Sequence, residues 1–214
     1  MDALCMRASE LYKELIKEIG RLLKAKGFSR KGNCFYLQHG YNWGLLDFQK
    51  SRKSTADEVS FTINLGVCSG RLLEFFSQHS LERKPSIGAC QWRERVGFLL
   101  PQCRDKWWIV RDIEPPGSLM DELKGCLVGV AIPAIEQHLS DEQLCDEWSS
   151  GRSPGLTDIQ RLVNLSVLLK VSGAGSALRD VLNELEVKAA GKPTASMVKQ
   201  HLRNLEQVEL GNGT

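Results

Sequence analysis

Apolar residues Leu4, Ala8, Leu11, Leu15, Ile19 and Leu22 recur at three- and four-residue steps, with Tyr12, Ile16 and Leu23 widening the stripe. That spacing predicts a helix over residues 3–26. Lys13, Lys17, Arg21 and Lys24 lie off the stripe and read as a solvated face, and Gly27 supplies a stop. The period then changes. Val59, Phe61, Ile63, Leu65 and Val67 alternate with Ser60, Thr62, Asn64 and Gly66, the pattern of a strand with two unlike faces. Residues 34–38 and 43–49 read as strands joined by a turn at Gly40-Tyr41-Asn42. Residues 91–99 and 107–111 read as two more, separated by Pro101-Gln102-Cys103-Arg104. Short connections between most of these segments predict an antiparallel sheet.

Further helices are expected over 71–79 and 118–139, the second one imperfect because Gly125, Gly129 and Pro133 interrupt it. Residues 141–148 add a turn. The small and breaking residues Ser149-Ser150-Gly151-Arg152-Ser153-Pro154-Gly155 mark a loop. Beyond it, Thr157 and Gln160 form a capping-box pattern for a helix over 158–171, followed by helices over 176–190 and from Pro193 onward. The fold class expected is α+β: an antiparallel sheet packed by the N-terminal helix and a second long helix, with a C-terminal helical appendage. The domains expected are 1–150 and a three-helix unit over 156–210.

Strand alternation also predicts a site. If Leu46, Phe48, Phe61, Ile63 and Leu65 face the core, then Asp47, Gln49, Thr62 and Asn64 face away. In the 91–99 strand, Trp92, Val96 and Phe98 share one parity, and Gln91, Arg93 and Arg95 share the other. Asp47, Gln49, Asn64, Arg93 and Arg95 therefore gather on one polar face, rimmed by Trp107 or Trp108. The guanidinium fork suits a carboxylate or phosphate, and large aromatics accompany arginine at recognition surfaces. The plainer reading is a solvated face with cross-strand ion pairs.

Charge and composition narrow the classes. The 214 residues carry a net charge of +2, with 42% hydrophobic and 25% charged residues. A balanced chain lacks the field of a non-specific nucleic-acid binder, although Lys50, Arg52 and Lys53 form a local basic loop. No signal peptide or membrane span is read. Seven scattered cysteines without a C-x-x-C pair fit reduced thiols in the cytoplasm. The four histidines share no ligand spacing with each other or with the cysteines, so neither a metal nor a cofactor is expected. No phosphate-binding glycine loop, dinucleotide fingerprint or nucleophile elbow occurs, and Cys90 and Cys103 have no histidine at a recognisable spacing.

Five blocks then carry a resemblance. Gly27-Phe28-Ser29-Arg30-Lys31-Gly32 with Phe35, Phe48-Gln49-Lys50-Ser51, and Phe61-Thr62-Ile63-Asn64-Leu65-Gly66-Val67 come first. Cys90-x-Trp92-Arg93-x-Arg95-x-Gly97-x-Leu99 and Asp105-Lys106-Trp107-Trp108 follow. In order and spacing they resemble the bacterial family called domain of unknown function 4304, over about residues 5–140. The resemblance implies a fold and a bacterial origin, and no reaction. Its motif residues fall here on Arg30, Gln49, Asn64, Arg93, Arg95 and Trp108.

Three functions are expected in order. The first is a non-enzymatic binding protein whose partner is another protein, an immunity or antitoxin role being the specific form. This follows by analogy with small bacterial α+β proteins lacking catalytic motifs. The second is an enzyme or small-molecule module that uses the Arg93/Arg95 face for a phosphate or carboxylate. The third is nucleic-acid binding through the 50–53 loop.

Overall fold

A computed structural model describes residues 7–77, 84–112 and 117–207. Leu4 of the helical stripe, residues 78–79 and the 211–214 tail lie outside the described residues. Helix α1, Ala8–Ala25, buries Tyr12, Leu15, Ile16, Ile19 and Leu23 on one side. It ends where Gly27 takes φ +89 and Phe28 N–H bonds back to the Leu23 carbonyl at 3.0 Å. This is a glycine C-cap, and L residues with a Cβ resist it.

Strands β1 (Ser29–Lys31), β2 (Cys34–His39), β3 (Asn42–Lys50) and β4 (Glu58–Cys68) follow as an antiparallel meander. The three exposed residues of β1 offer no alternation, which hides that strand from a pattern reading. Helix α2 is Gly70–Ser77. Strands β5 (Trp92–Arg95) and β6 (Trp108–Arg111) then pair with β4 on its other edge. They lie end to end, β5 against Asn64–Val67 and β6 against Glu58–Phe61.

The strand expected over 91–99 stops at Arg95. Val96–Leu99 turns once as helix α3, and Phe98 points into solvent at 44% exposure instead of joining the core. Gly97 explains the break: a Cβ there would collide with the Arg104 carbonyl oxygen, so only glycine lets the 104–106 backbone cross. The 118–139 helix is imperfect, as its glycines and proline imply. It comprises α4 (Gly117–Cys126), a π-helical turn (Leu127–Ala131) and α5 (Ile132–Glu136). Pro133 has no N–H to donate and its ring crowds the preceding turn, which the wider π geometry accommodates.

One apolar cluster unites these parts. Phe35, Leu46, Phe48, Phe61, Ile63, Leu65 and Val67 on one sheet face meet α1 and the α4–α5 segment, including Leu123, Leu127 and Ile135. The Tyr12 ring stands edge-on to Phe61 at 5.2 Å, and its hydroxyl donates to the Phe48 carbonyl at 3.3 Å. The fold is α+β, with helices massed on one face of an antiparallel sheet.

Helix α6 is Asp141–Ser149, and α7 (Asp158–Val171), α8 (Gly175–Ala189) and α9 (Ala195–Glu206) complete the chain. Thr157 and Gln160 form the expected capping box, and Ser140 and Gln143 form a second one on α6. Helix α7 is buried all round from Arg161 to Leu169. Leu165, Val167, Leu168 and Leu169 join the main core, while Leu162 and Val163 pack on Leu185, Ala189 and Val198. The C-terminal helices thus join the main core through α7.

Truncating Phe61 to alanine is expected to cost about 3–5 kcal/mol, the usual range for a buried aromatic. Lys17→Ala should stay within roughly 0.5 kcal/mol, because Lys17 is exposed and its ion pair is with Glu14 one turn away. Urea melts of the two variants separate these outcomes; equal midpoint shifts would refute the face assignment.

Candidate functional site

The second face of the sheet has two halves. Cross-strand partners share a face, so register places Ser29, Tyr36, Leu45, Gly66 and Arg93 in one row. Lys31, Cys34, Asp47, Asn64 and Arg95 form the next row, and Gln49 with Thr62 the one after. Tyr36, Trp43, Leu45, Cys68 and Cys90 make a small apolar cluster of their own. It is sealed by a single 3₁₀ turn at Ile87–Ala89. Gly66 permits that seal, since a Cβ would come within 2.7 Å of both the Cys90 sulfur and Ile87 Cδ1. The expected all-polar face is therefore half covered. Two sequence signals point to this: a glycine inside a strong strand, and the unbroken non-polar run Trp43-Gly44-Leu45-Leu46.

The other half stays open as a shallow depression of about 380 Å³, lined by Gln49, Asn64, Arg93, Glu94, Arg95 and Gly155 among others. Asn64 organises it. Its amide nitrogen donates to Asp47 Oδ2 at 3.2 Å and to Gln49 Oε1 at 2.9 Å. Burial raises the Asp47 carboxyl above its ordinary range, against the opposing hydrogen bond from Asn64. Arg95 pairs through Nη1 with Asp105 Oδ2 at 2.6 Å and lies over the Trp107 ring at 5.6 Å. Trp107 Nε1 donates to the same carboxylate oxygen at 2.9 Å. Burial works against the Asp105 charge, but the bonds from Trp107 and Arg95 hold its carboxyl below the usual range. Arg93 donates through Nη2 to the Gly155 carbonyl at 2.6 Å.

Five of the six sequence-selected residues, Asp47, Gln49, Asn64, Arg93 and Arg95, lie on this face. Trp108 does not. It opens β6 opposite Phe61, and that register turns its ring into the core, where it stacks on Phe61 at 5.8 Å and is 2% exposed. Trp107, one residue earlier, supplies the rim. Thr62 shares the face but is fully buried, donating to the Lys106 carbonyl at 2.8 Å. The participation of Gly155 was not read from the sequence. Its only signal is a Pro-Gly pair in a loop.

Four of the described thiols are tied up. Burial pushes the Cys34, Cys126 and Cys145 thiols up, and Cys90 is raised by its neighbour Cys68 and then by burial. Raised thiols are poor nucleophiles at neutral pH. Ser166 Oγ lies 2.8 Å from both the Val163 carbonyl oxygen and His201 Nε2, and neither Ser166 nor His201 lines the depression. No group of three or more His, Cys, Asp or Glu side chains fit to hold a metal occurs among the described residues.

Among the described cysteines, native-state alkylation should label Cys103 first, because it is exposed, and Cys68 and Cys90 only after unfolding. Mass spectrometry reads the order, and early labelling of Cys90 would contradict the sealed half-face. Burial pushes the His201 pKa from 6.5 down to about 4. The unfolded chain therefore takes up this proton first, and stability should fall as pH drops from 6.5 towards about 4. His201→Gln should flatten that part of a stability–pH curve relative to the parent. An unchanged slope would place the dependence elsewhere.

Neither the curated proteins nor the solved structures contain a match to this chain. The described helices include none long and apolar enough to cross a membrane. The family described as Domain of unknown function (DUF4304) matches residues 19–137, a segment that runs from within α1 through α5 and carries eight of the nine residues that line the depression. With more than half of its length covered, the chain belongs to the DUF4304 family.

Proposed function

We propose that this chain is a non-enzymatic bacterial binding protein that neutralises a protein partner in the cytoplasm, as an immunity protein does. The partner is held by an acidic side chain seated in the Gln49–Asn64–Arg93–Arg95 depression. The observation that carries this reading is the shape and chemistry of that depression. It is open and shallow, lined by amides and two guanidinium groups, and has no nucleophile paired with a base. Small-molecule sites enclose most of their ligand, whereas a shallow dish suits a side chain presented by a larger body. Arg95 is braced by Asp105 and Trp107 yet keeps about a third of its side chain in solvent. Braced arginines beside aromatics are the residues that dominate protein interfaces.

The second reading, a small carboxylate or phosphate ligand, uses the same depression and the same arginines. The two part on size. A partner protein protects a surface well beyond the depression from hydrogen exchange, and a small ligand protects only its lining.

On this reading a toxin gene should lie beside this one, and co-expression of the two should rescue growth. Arg95→Lys should weaken the complex about tenfold or more, since lysine keeps the charge and loses the fork. Its melting point should scarcely move, because exposed ion pairs contribute about 0–1 kcal/mol. Calorimetric titration and a thermal melt measure the two effects. Full affinity in Arg95→Lys would sink the proposed seat. Binding that instead weakens steeply with salt and follows Lys50, Arg52 and Lys53 would favour nucleic acid.

A further inference from the structure

Arg93 is incompletely satisfied. Its backbone N–H reaches the Pro154 carbonyl at 3.4 Å, and its Nη2 donates to the Gly155 carbonyl at 2.6 Å. Its Nε is buried and has no hydrogen-bond partner. A guanidinium offers Nε–H and an Nη–H along one edge, spaced for the two oxygens of a carboxylate. A single carbonyl oxygen meets one of those donors here and leaves the other dry. An unpaired buried donor is costly, more so on a charged group. The edge is filled by something that does not match it.

The filler sits on a short connection between α6 and α7. Gly151 at φ +86 and Gly155 at φ +76 bracket it. Arg152 clips it to Glu147, with Nε and Nη2 at 3.0 and 2.7 Å from one carboxylate oxygen. The approach to Arg93 favours glycine: φ +76 strains any side chain there, and a Cβ on Gly155 would press on Arg93 at 3.0 Å from its Cβ and 3.1 Å from its carbonyl oxygen. Thr157, the cap of α7, follows two residues later.

We infer that the 151–156 connection is a displaceable strap, and that a partner carboxylate replaces the Gly155 carbonyl on Arg93, gripped side-on by Nε and Nη2. The inference rests on the partner-binding reading above. The exchange trades one hydrogen bond for two charge-assisted ones and satisfies the buried Nε. Because the strap runs straight into the α7 cap, its release is transmitted to the start of α7.

The test is a titration of the ¹⁵N-labelled full chain with a hexaglutamate peptide, following backbone amides and arginine Nε–H signals by NMR. The expected result is that the Arg93 Nε–H signal and the amides of 151–156 shift together. Gly155→Ala, whose methyl drives the strap off Arg93, should bind the peptide about fivefold more tightly, because the competent state no longer has to be opened. Arg152→Ala, at an exposed site, loosens the other anchor and should act in the same direction. Unchanged or weaker binding in both variants overturns the strap. So does a titration that moves Arg95 and Gln49 while Arg93 and Gly155 stay still, although partner binding at the depression would survive. No shift anywhere in the depression overturns both readings.

Discussion

Strand β4 has two edges and two faces, and all four are committed. On one edge it pairs with β3 from Trp43↔Cys68 to Lys50↔Phe61, and on the other it carries β6 and then β5. Val59, Phe61, Ile63, Leu65 and Val67 go to the core, so Ser60, Thr62, Asn64, Gly66 and Cys68 must go to the second face. The side-chain period of a strand is two, and a one-residue slip would bury Asn64 and expose Phe61. Hydrophobic burial thereby fixes the position of polar groups that contribute nothing to it.

Within that second face, neighbouring residues of β4 do opposite things. Gly66 removes a side chain so that Ile87 and Cys90 can close over Tyr36, Trp43 and Leu45. Asn64, one row along, keeps a side chain that ties Asp47 to Gln49 and leaves the floor of the depression polar. The arginines reach the depression from β5, an edge strand only four residues long. Such a strand holds its side chains firmly only when something else braces them. Asp105 and Trp107 brace Arg95, and the 154–155 backbone braces Arg93.

Much of this was legible from periodicity. The α1 stripe, the alternation of β4, the capping box of α7 and the shared face of Asp47, Gln49, Asn64, Arg93 and Arg95 follow from spacings that burial enforces. The failures have equally definite causes. Trp107 and Trp108 are adjacent and alike, and only the register of β6 on Phe61 decides which one faces inward. The turn at Val96–Leu99 comes from a crossing at Gly97 by residues several positions away, which no window over 91–99 can contain. Tyr36 and Leu45 look like one-faced strand residues until the Ile87–Ala89 turn covers them. Pairings distant in sequence are invisible to a pattern because no local free energy marks them.

The segment shared with the family ends at residue 137, whereas the groups that hold Arg93 are Pro154 and Gly155. The same arginine can therefore be retained by descent while its availability is rewritten from outside the shared segment. On the proposed reading, a change of length or a lost glycine between α6 and α7 would retune the site without touching any residue of the sheet. Recognition by such an arrangement would diverge through the connection, because loops tolerate change, and would leave the strand that carries the charge under the constraint of the core.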